Sequence, residues 1–108
     1  MNRLAFARRE PARGDVVGIR LAGPGVLYIK RVVGLPGERV RIEGGRLLVN
    51  DAALEEPYVV NHSASWSLPE TTLAADEYFV VGDNRGMPIG QHELGKVKRA
   101  RIVGRVIF

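Results

Sequence analysis

Apolar and polar positions alternate along this chain in short runs, and glycine or proline interrupts them roughly every ten residues. That rhythm predicts strands. Asn2 to Gly14 reads as an extended arm or edge strand, and Arg13-Gly14-Asp15 as a turn that launches a strand over Val16 to Leu21. Ala22 to Gly25 is a loop. Leu27 to Val33 reads as a central strand. With a side-chain period of two, Val26, Tyr28, Lys30 and Val32 share one face and Leu27, Ile29, Arg31 and Val33 the other, and both faces are mostly apolar. Pro36 and Gly37 fit the two central positions of a type II turn, and Arg39 to Glu43 and Arg46 to Asn50 form a hairpin about Gly44-Gly45. Asn50-Asp51 makes another turn.

Further along, Leu54 to Val60 reads as an edge strand, and residues 61–72 as an irregular loop insertion with Trp66 packed down as its anchor. Glu77 to Val81 is a clear strand, and Val97 to Phe108 supplies one or two more. No helix longer than two turns is expected. The pattern predicts an all-β fold, a small partly open barrel or folded antiparallel sheets, in a single domain over residues 1–108.

Composition narrows the classes. A chain of 108 residues buries roughly 65% of its unfolded surface, enough for one core without staples. Cysteine is absent, which removes disulfides and thiolate metal sites. No stretch approaches the roughly 20 apolar residues of a spanning helix, and MNRLAFARRE is too short and too polar for a signal peptide. The sequence predicts a soluble fragment. His62 and His92 lack carboxylates at ligand spacing, so neither a metal site nor a cofactor is expected. The net charge of +4 and the run containing Lys96, Lys98, Arg99 and Arg101 admit a small basic barrel that binds nucleic acid. Trp66, Tyr58, Tyr78 and Phe79, however, lie in the more acidic middle, away from those cations, so nucleic acid is not the expected partner.

Lys30 is the candidate for chemistry. A strand lysine commonly carries its ammonium out to water, and only one held in apolar surroundings serves as a general base. The text around it decides between these. LYIKRVVGLPGE (Leu27 to Glu38), RGDVV upstream (Arg13 to Val17), GDNR downstream (Gly82 to Arg85) and the closing RIVGRV (Arg101 to Val106) cover most of the chain. In this order they resemble type I signal peptidase, the membrane-bound serine proteases that remove signal peptides with a Ser/Lys pair.

The resemblance implies that Lys30 is the general base, that Tyr28 and Ile29 belong to the strand edge along which the substrate peptide lies, and that Gly82, Asp83, Asn84 and Arg85 form the structural box supporting the lysine. The implied partners are signal peptides of exported preproteins, together with a membrane surface in the full-length protein. The implied location is the bacterial cytoplasmic membrane, with this domain on its extracytoplasmic side.

Two departures accompany the resemblance. The family's nucleophile sits in a Ser-Met-x-Pro box before the RGD block, and no such box occurs here; Ser63, Ser65 and Ser67 lack its neighbours. Residues 1–108 are therefore expected to be a C-terminal part, inactive by itself. In addition, Pro88 occupies the position of a serine that commonly hydrogen-bonds the lysine, and Gly90, Gln91 and His92 replace the Asp-Ser-Arg that follows. A catalytically dead family member acting as a scaffold is the remaining alternative.

Overall fold

The computed structural model describes residues 3–6, 10–20, 28–57, 66–83 and 95–107. They form the strands β1 (Arg3–Phe6), β2 (Val16–Ile19), β3 (Tyr28–Gly34), β4 (Arg39–Glu43), β5 (Arg46–Val49), β6 (Ala52–Ala53), β7 (Leu68–Thr72), β8 (Glu77–Val81), β9 (Gly95–Lys98) and β10 (Ile102–Ile107). A 3-10 turn, Arg99–Arg101, separates the last two. The strands make a six-stranded sheet in the order β1-β10-β2-β3-β8-β9 and a four-stranded sheet in the order β6-β5-β4-β7. Every pairing is antiparallel.

The double-faced apolar pattern of β3 has a direct consequence. Val32 and Val33 point to opposite faces, and both are fully buried. On one face Val33, Phe79 and Val81 meet Val40, Ile42, Leu47, Val49, Trp66 and Leu73, which builds the core between the two sheets. On the other face Val32, Tyr78 and Val80 meet Val17, Ile19, Val97 and Ile102. Among the described residues the buried side chains of that second core all come from the six-stranded sheet, with half-buried Leu35 packed against them, so the sheet coils around it as the expected partly open barrel.

The chain passes from one sheet to the other at Gly34. A Cβ there would lie 2.8 Å from Val40 Cγ2 and 2.9 Å from both Leu73 Cδ1 and Phe79 Cβ. Glycine is what lets the two sheets approach so closely. The turn after it is type II: Gly37 has φ +83° and the Glu38 N–H donates to the Leu35 carbonyl at 3.1 Å. The hairpin of β4 and β5 closes on Gly44 and Gly45, both at positive φ, with Glu43 opposite Arg46.

Two expectations need correction. Leu68–Thr72, within the stretch read as an irregular loop, is β7 and pairs with β4 through Ile42↔Leu68 and Val40↔Thr71. Its polar residues suit an edge strand with one wet side, and the register shift near Pro69 accommodates the missing N–H. Trp66, just before it, is buried in the inter-sheet core as an anchor, its carbonyl accepting from the Gly45 N–H at 2.9 Å. Over its described part, residues 54–57, the edge strand expected at Leu54 to Val60 does not form, and the strand beside β5 is β6, only Ala52–Ala53. Leu54 donates one backbone bond to the Leu47 carbonyl (2.8 Å) and turns its side chain onto the core, and no strand continues to Pro57. Residues 58–65 lie outside the described residues.

Candidate active site

β3 pairs along its whole first half with β2: Tyr28 opposite Ile19, Ile29 opposite Gly18, Lys30 opposite Val17 and Arg31 opposite Val16. On its other side β8 begins to pair only at Arg31, opposite Val81. Tyr28, Ile29 and Lys30 thus present, among the described residues, an edge with no strand beside it. Tyr28 and Lys30 are half-buried, whereas Ile29 is 53% exposed, a large apolar side chain left in water beside that edge.

Arg31 braces this edge. Its Nε donates to Asp83 Oδ1 at 2.9 Å, its Nη2 to Asp83 Oδ2 at 2.7 Å and its Nη1 to the Gly14 carbonyl at 2.8 Å. The fork geometry of guanidinium and carboxylate makes this a strong, oriented contact. Gly14 and Asp15 in turn continue the β2–β3 pairing, with the Gly14 N–H donating to the Val32 carbonyl and the Val32 N–H to the Asp15 carbonyl, both at 2.8 Å. One side chain therefore joins three of the four sequence blocks that carry the resemblance.

A cavity of about 70 Å³ opens between them, lined by Val16, Ile29, Lys30, Arg31, Gly82 and Asp83. By the pleat, Ile29 and Arg31 stand on one face of β3 while Lys30 stands on the other with Val17, Ile19 and Val32. Asp83 thus holds Arg31, the residue that follows the lysine on the strand. Among the described residues no hydrogen-bond partner reaches the Lys30 ammonium. Asn84, Arg85, Pro88, Gly90, Gln91 and His92 lie outside the described residues, as do His62, Ser63 and Ser65. Ser67 is exposed just before β7 of the other sheet.

Arg31 was not singled out by sequence reasoning. Its signal was an arginine next to the lysine and an aspartate in the downstream box, two opposite charges in otherwise apolar strand text. A second clamp was equally missed: Arg13 donates to both carboxylate oxygens of Glu38, at 2.8 and 2.7 Å, and to the Val33 carbonyl at 3.0 Å. Glu38 Oε1 also accepts the Leu35 N–H at 2.6 Å. The Arg13 hydrogen bond, helped by that N–H, holds the Glu38 carboxyl below the usual carboxylate range despite partial burial. With Arg13 and Asp15 both engaged, the Arg-Gly-Asp turn is part of the framework.

The basic C-terminal run is spread out by its local contacts. Lys98 lies 3.4 Å from Asp76, Arg99 Nε lies 3.3 Å from Glu10 Oε2, and Arg101 Nη1 donates to the Arg20 carbonyl at 3.3 Å. Among the described residues no helix is long and apolar enough to cross a membrane, and no three metal-ligating side chains stand together.

The family described as signal peptidase, peptidase S26, matches residues 1–108. Signal peptidase I of Leptolyngbya laminosa is 35% identical over 115 residues, covering 99% of this chain and 56% of that protein. The probable signal peptidase I-2 of a Synechocystis strain is 31% identical, covering 97% of this chain and 50% of its own length. The crystal structure of a signal peptidase I from Enterococcus faecalis superposes with a TM-score of 0.69 at 26% identity, covering 92% of this chain and 98% of that one. The chain belongs to the signal peptidase family. It spans about half the length of these two relatives.

Proposed function

We propose that residues 1–108 supply the general base and one wall of the substrate groove of an endopeptidase that removes signal peptides from exported preproteins. The observation that carries this reading is the Tyr28–Lys30 edge, unpaired among the described residues, beside the cavity and braced through Arg31 by Asp83 and Gly14. An extended peptide adds to such an edge as a further strand: main-chain hydrogen bonds give affinity, and pockets for alternate side chains give selectivity. Val16 and exposed Ile29 offer the apolar wall for small residues before the cut.

A serine hydroxyl is a poor nucleophile at neutral pH and needs a base within hydrogen-bond reach. In this reading a serine contributed from outside residues 1–108 attacks the scissile carbonyl while Lys30 Nζ accepts its proton and returns it to the leaving amine. Water then releases the acyl-enzyme by the same route. Gly82 and Asp83, with Asn84 and Arg85 following, keep the lysine strand rigid. The 108 residues alone are inactive, and the working site lies at the extracytoplasmic face of the membrane.

The test is cleavage of a preprotein by the chain joined to an upstream segment carrying the family's Ser-Met-x-Pro box. Lys30→Ala abolishes cleavage; equal cleavage with alanine at this position would falsify the role given to Lys30.

A further inference from the structure

The Asp83 carboxylate has acceptor capacity to spare. Arg31 Nε donates to its Oδ1 and Arg31 Nη2 to its Oδ2, one bond to each oxygen, and among the described residues no other group donates to either. An ionised carboxylate offers about four acceptor positions, so about one on each oxygen is left for a further donor. The side chain is one-third exposed and forms part of the wall of the cavity beside the Tyr28–Lys30 edge.

That cavity lies where β8 leaves β3. Val81 opposite Arg31 is the last pair of the two strands at this end, and Gly82 and Asp83 run on past it. The gap between them and Ile29 and Lys30 measures about 70 Å³. One water needs about 10–15 Å³ of such space, so the cavity suits a short side chain. Ile29 and Arg31, two residues apart on β3, stand on one face of the sheet, and Asp83 grips Arg31 on that face. A substrate residue seated opposite Ile29 turns its side chain to the same face.

We infer that Asp83 is a specificity-determining residue that selects preproteins with a hydroxyl side chain, serine or threonine, at the cavity-facing position before the cut. The inference rests on the peptidase reading above, which lays the substrate along this edge. A hydroxyl donates its proton to the open acceptor position of Asp83, and a hydrogen bond to a charged group is about twice as strong as a neutral one. The methyl group of alanine covers the same oxygen and takes away its water without replacing the bond. A basic side chain also carries donors, but Lys30 and Arg31 line the cavity against a single carboxylate and repel it. An acidic side chain brings a second negative charge to Asp83 and no proton to donate.

The experiment titrates the isotopically labelled 108-residue chain with peptides spanning a small-residue cut site. They differ only in carrying serine or alanine, or the similarly shaped threonine or valine, at the first or the third position before the cut, which share a face in an extended chain. At one of these positions the hydroxyl peptide of each pair binds roughly three- to tenfold tighter, and the carboxyl carbon signal of Asp83 moves with it and not with its partner. Replacing both members of the ion pair, Arg31→Met together with Asp83→Leu, leaves no charge buried alone and erases the preference. Asp76→Asn, which removes an exposed carboxylate beside Lys98, leaves it intact. Equal binding within both pairs, an Asp83 carboxyl signal indifferent to the hydroxyl, or a preference that survives in the folded double variant overturns the role of Asp83 while the groove stands. Where the double variant does not fold, the carboxyl signal of the unaltered chain decides alone. Failure of every peptide to bind the folded chain overturns the groove and the inference with it.

Discussion

Arg31 and Asp83, 52 positions apart in the chain, meet fork to fork at 2.9 and 2.7 Å, and the third arm of the guanidinium reaches the Gly14 carbonyl. Both side chains are largely withdrawn from water, at 17% and 33% exposure. A partly buried pair with extra hydrogen bonds is costly to break from one side, because the remaining charge keeps its desolvation penalty. Asp83→Asn is expected to destabilise the fold by about 1.5–3 kcal/mol in urea unfolding. Arg31→Lys does not escape this cost, since an ammonium cannot span both partners. A double-mutant cycle giving no coupling between the two positions would show that the contact contributes nothing.

Glu38 makes folding sensitive to acid. Its carboxyl is held below the ordinary 4.5 by the Arg13 hydrogen bond. The folded state therefore binds a proton less readily than the unfolded chain, and the stabilisation is complete above about 4.5 and fades as pH falls through the lower folded value. Glu38→Gln is expected to cost about 1–2 kcal/mol at neutral pH and to flatten the acid limb of the stability profile. An acid limb as steep as that of the unaltered protein would exclude Glu38 as a source.

Tyr78 sets the opposite limb. Burial, and then its hydrogen bond to Glu10 Oε2 at 2.6 Å, push its phenol up to about 12 from an ordinary 10. Its contribution to stability is full below 10 and is lost as pH rises towards 12. Tyr78→Phe removes that alkaline dependence and costs about 1 kcal/mol at neutral pH. Comparing ultraviolet titrations of the unaltered chain and Tyr78→Phe should show that the phenolate lost is one that ionises about two pH units late; a lost phenolate that ionises near 10 would mean the Tyr78–Glu10 bond is not maintained in solution.

Gly34 is a packing prediction. A methyl group there meets Val40, Leu73 and Phe79 at distances real Cβ atoms do not tolerate, so Gly34→Ala is expected to cost about 1–3 kcal/mol through overpacking. Thermal unfolding measures it, and an unchanged midpoint would mean the sheets part easily at this corner.

Ile29 separates function from stability. Being more than half exposed, Ile29→Ser should change unfolding free energy by no more than about 0.5 kcal/mol while weakening binding of small-residue peptides severalfold. Unchanged peptide affinity would argue against the Tyr28–Lys30 edge as the groove.

The local geometry of this protein was written in its sequence. The Gly44-Gly45 turn with flanking alternation specified the hairpin of β4 and β5, because a two-residue loop at positive φ leaves one register open. The two-faced apolar run of β3 specified a strand buried on both sides. β7 was hidden because Leu68–Thr72 has the polar, proline-containing composition of a loop; only the free edge of β4, brought to it by Trp66 in the core, makes it a strand.

The family text and Lys30 could be read from adjacent residues, since motif and strand are short-range. What bound the blocks together could not. Arg31 finding Asp83 and Arg13 finding Glu38 depend on which strands lie side by side and in what register. Long-range pairing is set by how the whole chain buries its apolar faces, and charge neighbours follow from that packing. The sequence alone determined most of the strands and pointed to Lys30; the tertiary structure alone decided that Leu68–Thr72 joins β4 and which carboxylates Arg31 and Arg13 meet.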